Sequence, residues 1–141
     1  MEQLVGSWIG EEKMYPSPWD PQGGTATGRI TNRQALDGFA VIQDYKQERD
    51  GAVTFRGHGV FCWDPVQQTY LLHWFDSCGT PPNVFEGSFE GNVFTMSCET
   101  PMGRNRTVFE IQDENHYAFR MEMSSDGEQW QTLMEGHYTR E

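Results

Sequence analysis

Apolar and polar residues alternate along most of this chain, in runs of about six to twelve residues rich in Val, Phe, Thr, Tyr and Trp. A period of two is the mark of strands with one buried face. No window of a dozen residues carries apolar side chains at i, i+3, i+4 and i+7, so the pattern predicts no helix. Turn residues punctuate the runs at Asp37-Gly38, Asp50-Gly51, Asp64-Pro65, Gly91-Asn92 and Asp126-Gly127. Asp-Gly between alternating runs favours a two-residue hairpin, because both turn residues take positive φ. The predicted strands cover about 6–14, 25–36, 39–49, 52–63, 68–75, 83–90, 93–99, 104–111, 116–125 and 128–139.

Short connections make sequence neighbours into sheet neighbours. Ten strands in one flat meander bury nothing, so closure into a barrel around an internal cavity is the economical solution, and it removes the open edges. The pattern therefore predicts an all-β protein, a single antiparallel meander over residues 1–141. Residues 15–24 (Tyr-Pro-Ser-Pro-Trp-Asp-Pro-Gln-Gly-Gly) read as a rigid loop at one end of it.

Two-residue turns also set register, and register decides which side chains share a face. The Asp37-Gly38 turn places Leu36 opposite Phe39, Asn32 opposite Gln43 and Ile30 opposite Tyr45. The Asp50-Gly51 turn places Tyr45 opposite Arg56, Gln43 opposite His58, Val41 opposite Val60 and Phe39 opposite Cys62. A loop at Pro65-Val66 adds His73 opposite His58, Leu71 opposite Val60 and Phe75 opposite Arg56. The apolar members of this set point it inward, and Asn32, Gln43, Tyr45, Arg56, His58 and His73 go with them. The Gly91-Asn92 and Asp126-Gly127 turns build a second, greasy wall from Phe85, Phe89, Phe94, Met96, Phe119, Met121, Met123, Trp130 and Met134, with His116, Arg120, Glu122, Glu135 and His137 outside. The interior is predicted to be half polar and half aromatic and Met-rich, and Met adapts to varied shapes.

Composition narrows the function classes. With 10 basic and 21 acidic residues the chain carries a net charge of −11. Neutralising phosphates takes Lys and Arg, so nucleic acid and anionic membrane surfaces are poor partners. No run approaches a membrane-spanning apolar stretch, and the opening Met1-Glu2-Gln3 lacks a basic, then apolar leader. Three cysteines, Cys62, Cys78 and Cys98, leave at least one unpaired and fit reduced thiols in a cytoplasm.

A buried Arg needs a carboxylate, water or a ligand. Arg56 and Tyr45, with His58, His73, Gln43 and Asn32 beside them, could hold the anionic head of a small amphipathic or hydrophobic molecule, because the guanidinium fork suits a carboxylate. The greasy side chains Phe119, Met121 and Trp130 would cover its body. The alternative is an internal hydrogen-bond network with trapped water. His58 or His73 as general base would make the protein an enzyme on such a ligand, although no nucleophile stands at a recognisable spacing. Cys78, in Asp76-Ser77-Cys78-Gly79, reads as a loop thiol. Two His per patch fall short of a metal site, which takes three or four ligands. The stretch Gly10-Glu11-Glu12 reads as a solvated face. A filled barrel working as a homodimer, through Trp19 and Trp74, is the structural reading.

Gly6-Ser7-Trp8-Ile9-Gly10 resembles the GxW opening of lipocalin and calycin barrels, where the Trp closes one end. Pro18-Trp19-Asp20-Pro21, Asn32-Arg33-Gln34-Ala35-Leu36-Asp37-Gly38-Phe39, Gly57-His58-Gly59-Val60-Phe61, His73-Trp74-Phe75-Asp76 and Met134-Glu135-Gly136-His137-Tyr138 extend the likeness nearly end to end. Together they resemble the bacterial DUF1579 family. The resemblance implies a calycin-like barrel and no particular activity, and it supplies no catalytic residues. The layout is also similar to fatty-acid-binding barrels, in which interior Arg and Tyr hold a ligand carboxylate. Some small calycin barrels of this size bind haem through a His near the C-terminus. His137 has that place in the chain, but the register turns it outward, so no cofactor is predicted.

Overall fold

Ten strands follow one another with no helix beyond a single 3-10 turn at Glu2–Leu4, and a tight turn of positive φ at Leu36–Gly38 joins two of them. A computed structural model describes all of residues 1–141. The strands are β1 Gly6–Met14, β2 Gly24–Ala35, β3 Ala40–Arg49, β4 Ala52–Asp64, β5 Thr69–Asp76, β6 Asn83–Glu90, β7 Val93–Thr100, β8 Gly103–Asp113, β9 His116–Ser124 and β10 Gln131–Arg140. Each pairs antiparallel with its neighbour, and β1 pairs with β10, so the sheet is a closed barrel. The seam runs from Trp8↔Arg140 to Met14↔Met134.

The lower end, where β1 begins, is plugged. Leu4 sits across the opening, and its carbonyl accepts from Trp8 Nε1 at 3.0 Å and Asn32 Nδ2 at 2.7 Å. Trp8 packs edge-on against Tyr117, at 4.8 Å between centroids. Above them lies an aromatic core of Phe61, Tyr70, Phe89, Phe94 and Phe109, in which Phe89 and Phe94 stack at 4.4 Å. Burial of such rings supplies most of the folding drive, at about 25 cal/mol per Å² of apolar surface.

The β2–β3 register is the predicted one: Asn32 lies opposite Gln43 and Ile30 opposite Tyr45. Gln43 donates to Asn32 Oδ1 at 3.0 Å, and both side chains are buried. The tip of that hairpin departs from expectation. Leu36, Asp37 and Gly38 all take positive φ. The tip projects past the barrel, and Leu36 and Phe39, expected inside, are 74% and 81% exposed.

The β3–β4 pairing holds the larger correction. It starts in the predicted register, Arg49↔Ala52 and Glu48↔Val53, then slips by one at a bulge between Gln47 and Glu48. An extra residue in one strand moves every later side chain to the other face. Phe55, Gly57, Gly59 and Phe61 therefore point inward, while Arg56 and His58 are exposed outside, opposite Lys46 and Asp44. The flip carries into β5. His58 faces Phe75, and Val60 faces His73. His73, Leu71, Val60 and Phe75 are thus on the outer face, and Trp74 turns inward to pack on the core.

On β6–β7, Phe89↔Phe94 and Gly87↔Met96 stand as predicted. The β9–β10 connection is longer than a two-residue turn, and a second irregularity lies between Thr132 and Met134. Phe119 meets Gly136 instead of Met134, and Met121 meets Met134 instead of Thr132. This slip is even, so Phe119 and Met121 keep the inward face. Trp130 falls in the loop outside, where the Arg106 guanidinium lies 3.8 Å over its ring.

Candidate functional site

Along β1, Trp8, Gly10, Glu12 and Met14 share one face. Trp8 points into the core, so Glu12 does as well, and it keeps only 2% of its exposure. Its carboxyl is thus a buried, ionisable group inside the barrel. The phenol of Tyr45 lies 2.8 Å from both carboxyl oxygens. The phenol of Tyr138 donates a short hydrogen bond to Oε2. Gln47 Nε2 lies 3.3 Å from Oε1 and 3.0 Å from the Tyr45 oxygen. Glu12 makes no ion pair.

Glycines make room for this cluster. A Cβ on Gly28 would stand 2.6 Å from Glu12 Oε2, and one on Gly10 would stand 2.3 Å from the Tyr138 ring. Tyr138 in turn stacks on Tyr117 at 4.9 Å, which ties the cluster to the aromatic plug below.

Burial pushes the Glu12 carboxyl above its ordinary 4.5, against the pull of Tyr138, Tyr45, Gln47 and the more distant Arg49 charge. Burial and the nearby Glu12 charge push the phenols of Tyr45, Tyr117 and Tyr138 well up. The tyrosines therefore stay protonated, and Tyr45 and Tyr138 donate to Glu12.

The surroundings become apolar towards the upper end. Gln47 Nε2 touches the sulfurs of Met14 and Met134 at 3.8 and 3.9 Å. Phe55 and Trp74 lie 6.0 and 6.5 Å from the Tyr45 ring. Phe55, Trp74, Met121, Met123 and Asn105 face inward yet are only half-buried, unlike Phe61 or Phe94 below. Thr107 also faces inward, pairing with Met96 and Met121; its Oγ1 is buried without a partner. At the rim, Arg49 is paired with Asp20 of the 15–24 loop at 2.7 Å.

Of the residues read from sequence as ligand-binding, the structure brings Tyr45 into this cluster. Asn32 and Gln43 are committed to the plug, and Phe119 and Met121 line the wall. Arg56, His58, His73 and Trp130 lie outside the barrel. Sequence reading missed Glu12, Gln47 and Tyr138. The signal for Glu12 was available, because Trp8-x-Gly10-x-Glu12-x-Met14 alternates with the Trp that closes the barrel. Cys78 is exposed, and slight burial together with Asp76 pushes its thiol up, opposite to a reactive thiol.

A family model described as "Protein of unknown function (DUF1579)" matches residues 1–140. No curated protein matches in sequence. Among solved structures, Rv2717c from M. tuberculosis superposes with a TM-score of 0.74 at 14% identity, over 99% of this chain and 93% of that one. The S-type phycobiliprotein lyase CPES from Guillardia theta gives 0.65 at 10% identity, over 99% and 89%. At these identities the likeness is one of fold.

Proposed function

The chain belongs to the DUF1579 family, and from that premise we propose that it binds a small amphipathic molecule in the upper lumen, with a cationic or hydrogen-bond-donating head against Glu12. The observation that carries this reading is a carboxyl buried to 2% exposure whose partners are two phenols and an amide and which makes no ion pair, the Arg49 charge that reaches it being paired with Asp20. Burying a carboxyl costs stability, and here hydrogen bonds but no ion pair offset that cost. Such groups cluster at functional sites. The apolar body of the ligand would lie along Phe55, Trp74, Met14 and Met134, a lining that accepts varied shapes. The unpartnered Thr107 hydroxyl supplies a second polar contact.

This reverses the head-group polarity expected from an interior arginine. With Arg56 outside, an alkylammonium suits the lumen better than a carboxylate. A cation at Glu12 favours the ionised carboxyl, so affinity rises as pH rises through the raised Glu12 pKa.

The test is a titration with octylamine and octanoate, followed by tryptophan fluorescence, in the protein and in Glu12→Gln. Octylamine should bind saturably, with affinity falling about tenfold or more in Glu12→Gln, and octanoate should bind weakly. Octanoate binding as tightly as octylamine, or an indifferent Glu12→Gln, overturns the proposal.

A further inference from the structure

The bulge that expels Arg56 from the lumen places it in a row. Arg29 on β2 pairs with Lys46 on β3, and Lys46 pairs with Arg56 on β4, so three cations stand side by side across adjacent strands of the outer face. Like charges directly opposite each other in a sheet are destabilising, and this row stands on a chain of net charge −11. It lines a groove of about 650 Å³, a size typical of small-molecule sites.

The acids of the groove are already engaged. Asp44 holds His58 at 2.7 Å, Glu141 lies 3.9 Å from Arg29, and Asp76 accepts from Trp74 Nε1 at 3.0 Å. Arg29 is also paired with Glu48 at 3.3 Å, whereas Lys46 and Arg56 make no ion pair. The Ser77 hydroxyl accepts from the Arg56 backbone N–H at 3.0 Å, which leaves its own proton to donate. Phe75 forms an apolar wall of the groove at 47% exposure.

We infer that this groove, separate from the lumen, binds an organic phosphate monoester, its dianion across Lys46 and Arg56 and its apolar part on Phe75. A dianion turns a repulsive pair into two charge-assisted contacts, and the Arg fork fits phosphate oxygens bidentately. Ser77 completes the head-group site.

Calorimetric titration at low salt with phenyl phosphate, inorganic phosphate and phenol tests this. Phenyl phosphate should bind saturably and more tightly than inorganic phosphate, phenol should not bind, and added salt should weaken the complex. Lys46→Gln and Arg56→Gln should each weaken phenyl phosphate at least about tenfold. Both sites are exposed, and circular dichroism verifies that the variants fold. Absence of phenyl phosphate binding, or binding unchanged in the double variant, overturns the inference. Equal affinity for inorganic phosphate removes Phe75 from the site and overturns the organic ligand.

Discussion

The phenol of Tyr45 on β3 meets the carboxyl of Glu12 on β1 at 2.8 Å, over the bare backbone of Gly28 on the strand between them. Gly28 has no side chain to intervene, and its φ is ordinary, so the requirement is one of space alone. Gly28→Ala would set a methyl 2.6 Å from a carboxyl oxygen that both Tyr45 and Tyr138 hold. The expected cost is about 1–3 kcal/mol, as for other overpacked cores. Urea unfolding measures it, and a loss near zero would show that the carboxyl moves freely.

The same carboxyl shapes the response to base. Because the folded-state pKa of Glu12 is raised above 4.5, the folded protein holds that proton to higher pH than the unfolded chain does. This contribution to stability is fully present below 4.5 and is lost as pH rises through the folded-state pKa. Glu12→Gln cannot ionise, so its stability should lack that fall. Unfolding free energies of the two proteins between pH 4 and 9 should converge at the acid end and diverge in favour of the variant at the basic end, about where Glu12 ionises. Parallel curves would place the carboxyl in water.

Glu122 should do the opposite. Burial alone would raise its pKa, but hydrogen bonds from Arg106 at 3.1 Å and Arg120 at 2.9 Å, with their charges, hold it below 4.5. Its contribution is present above 4.5 and is lost as pH falls through the lowered value. Glu122→Gln should cost about 1.5–3 kcal/mol at neutral pH, the range for hydrogen bonds to charged groups. It should cost little in strong acid, and thermal unfolding across the acid range separates the two.

The outer row of cations sets stability against binding. Arg56→Glu would replace a like-charged cross-strand pair with Lys46 by an opposite one, for a gain of about 0.2–1 kcal/mol. The same variant should lose phenyl phosphate. A thermal midpoint that rises while calorimetric binding disappears is the expected pair of results. A midpoint that falls would mean that Arg56 has a structural partner.

Strand existence and order were legible because each run alternates and each turn carries its own chemistry. Faces were legible only where slips were even. The β9–β10 slip moves Phe119 from Met134 to Gly136 yet leaves both inside, since two residues restore the pleat. The single-residue bulge near Gln47 reverses the face of Arg56, His58 and, through pairing, His73. Bulges depend on the curvature a closed sheet demands, which no local run of residues encodes. Even so, Phe55-x-Gly57-x-Gly59-x-Phe61 alternates against Arg56 and His58, and weighting that pattern above turn geometry recovers the observed faces. Glu12 was obscured differently. A second acid at Glu11 made the pair look solvated, whereas parity with Trp8 assigned one to each side.

The seam between β1 and β10 has a consequence for synthesis. β1 is synthesised well before β10, its second neighbour, and Trp8 and Tyr138 come together only when both are present. Until β10 emerges, the nascent sheet has two raw edges and an aromatic interior open to water, the state in which chains of this topology associate wrongly. β10 thus acts as a latch: a chain stalled before it would expose nearly the whole hydrophobic lining, and the cell would handle it as a client for chaperones or proteases.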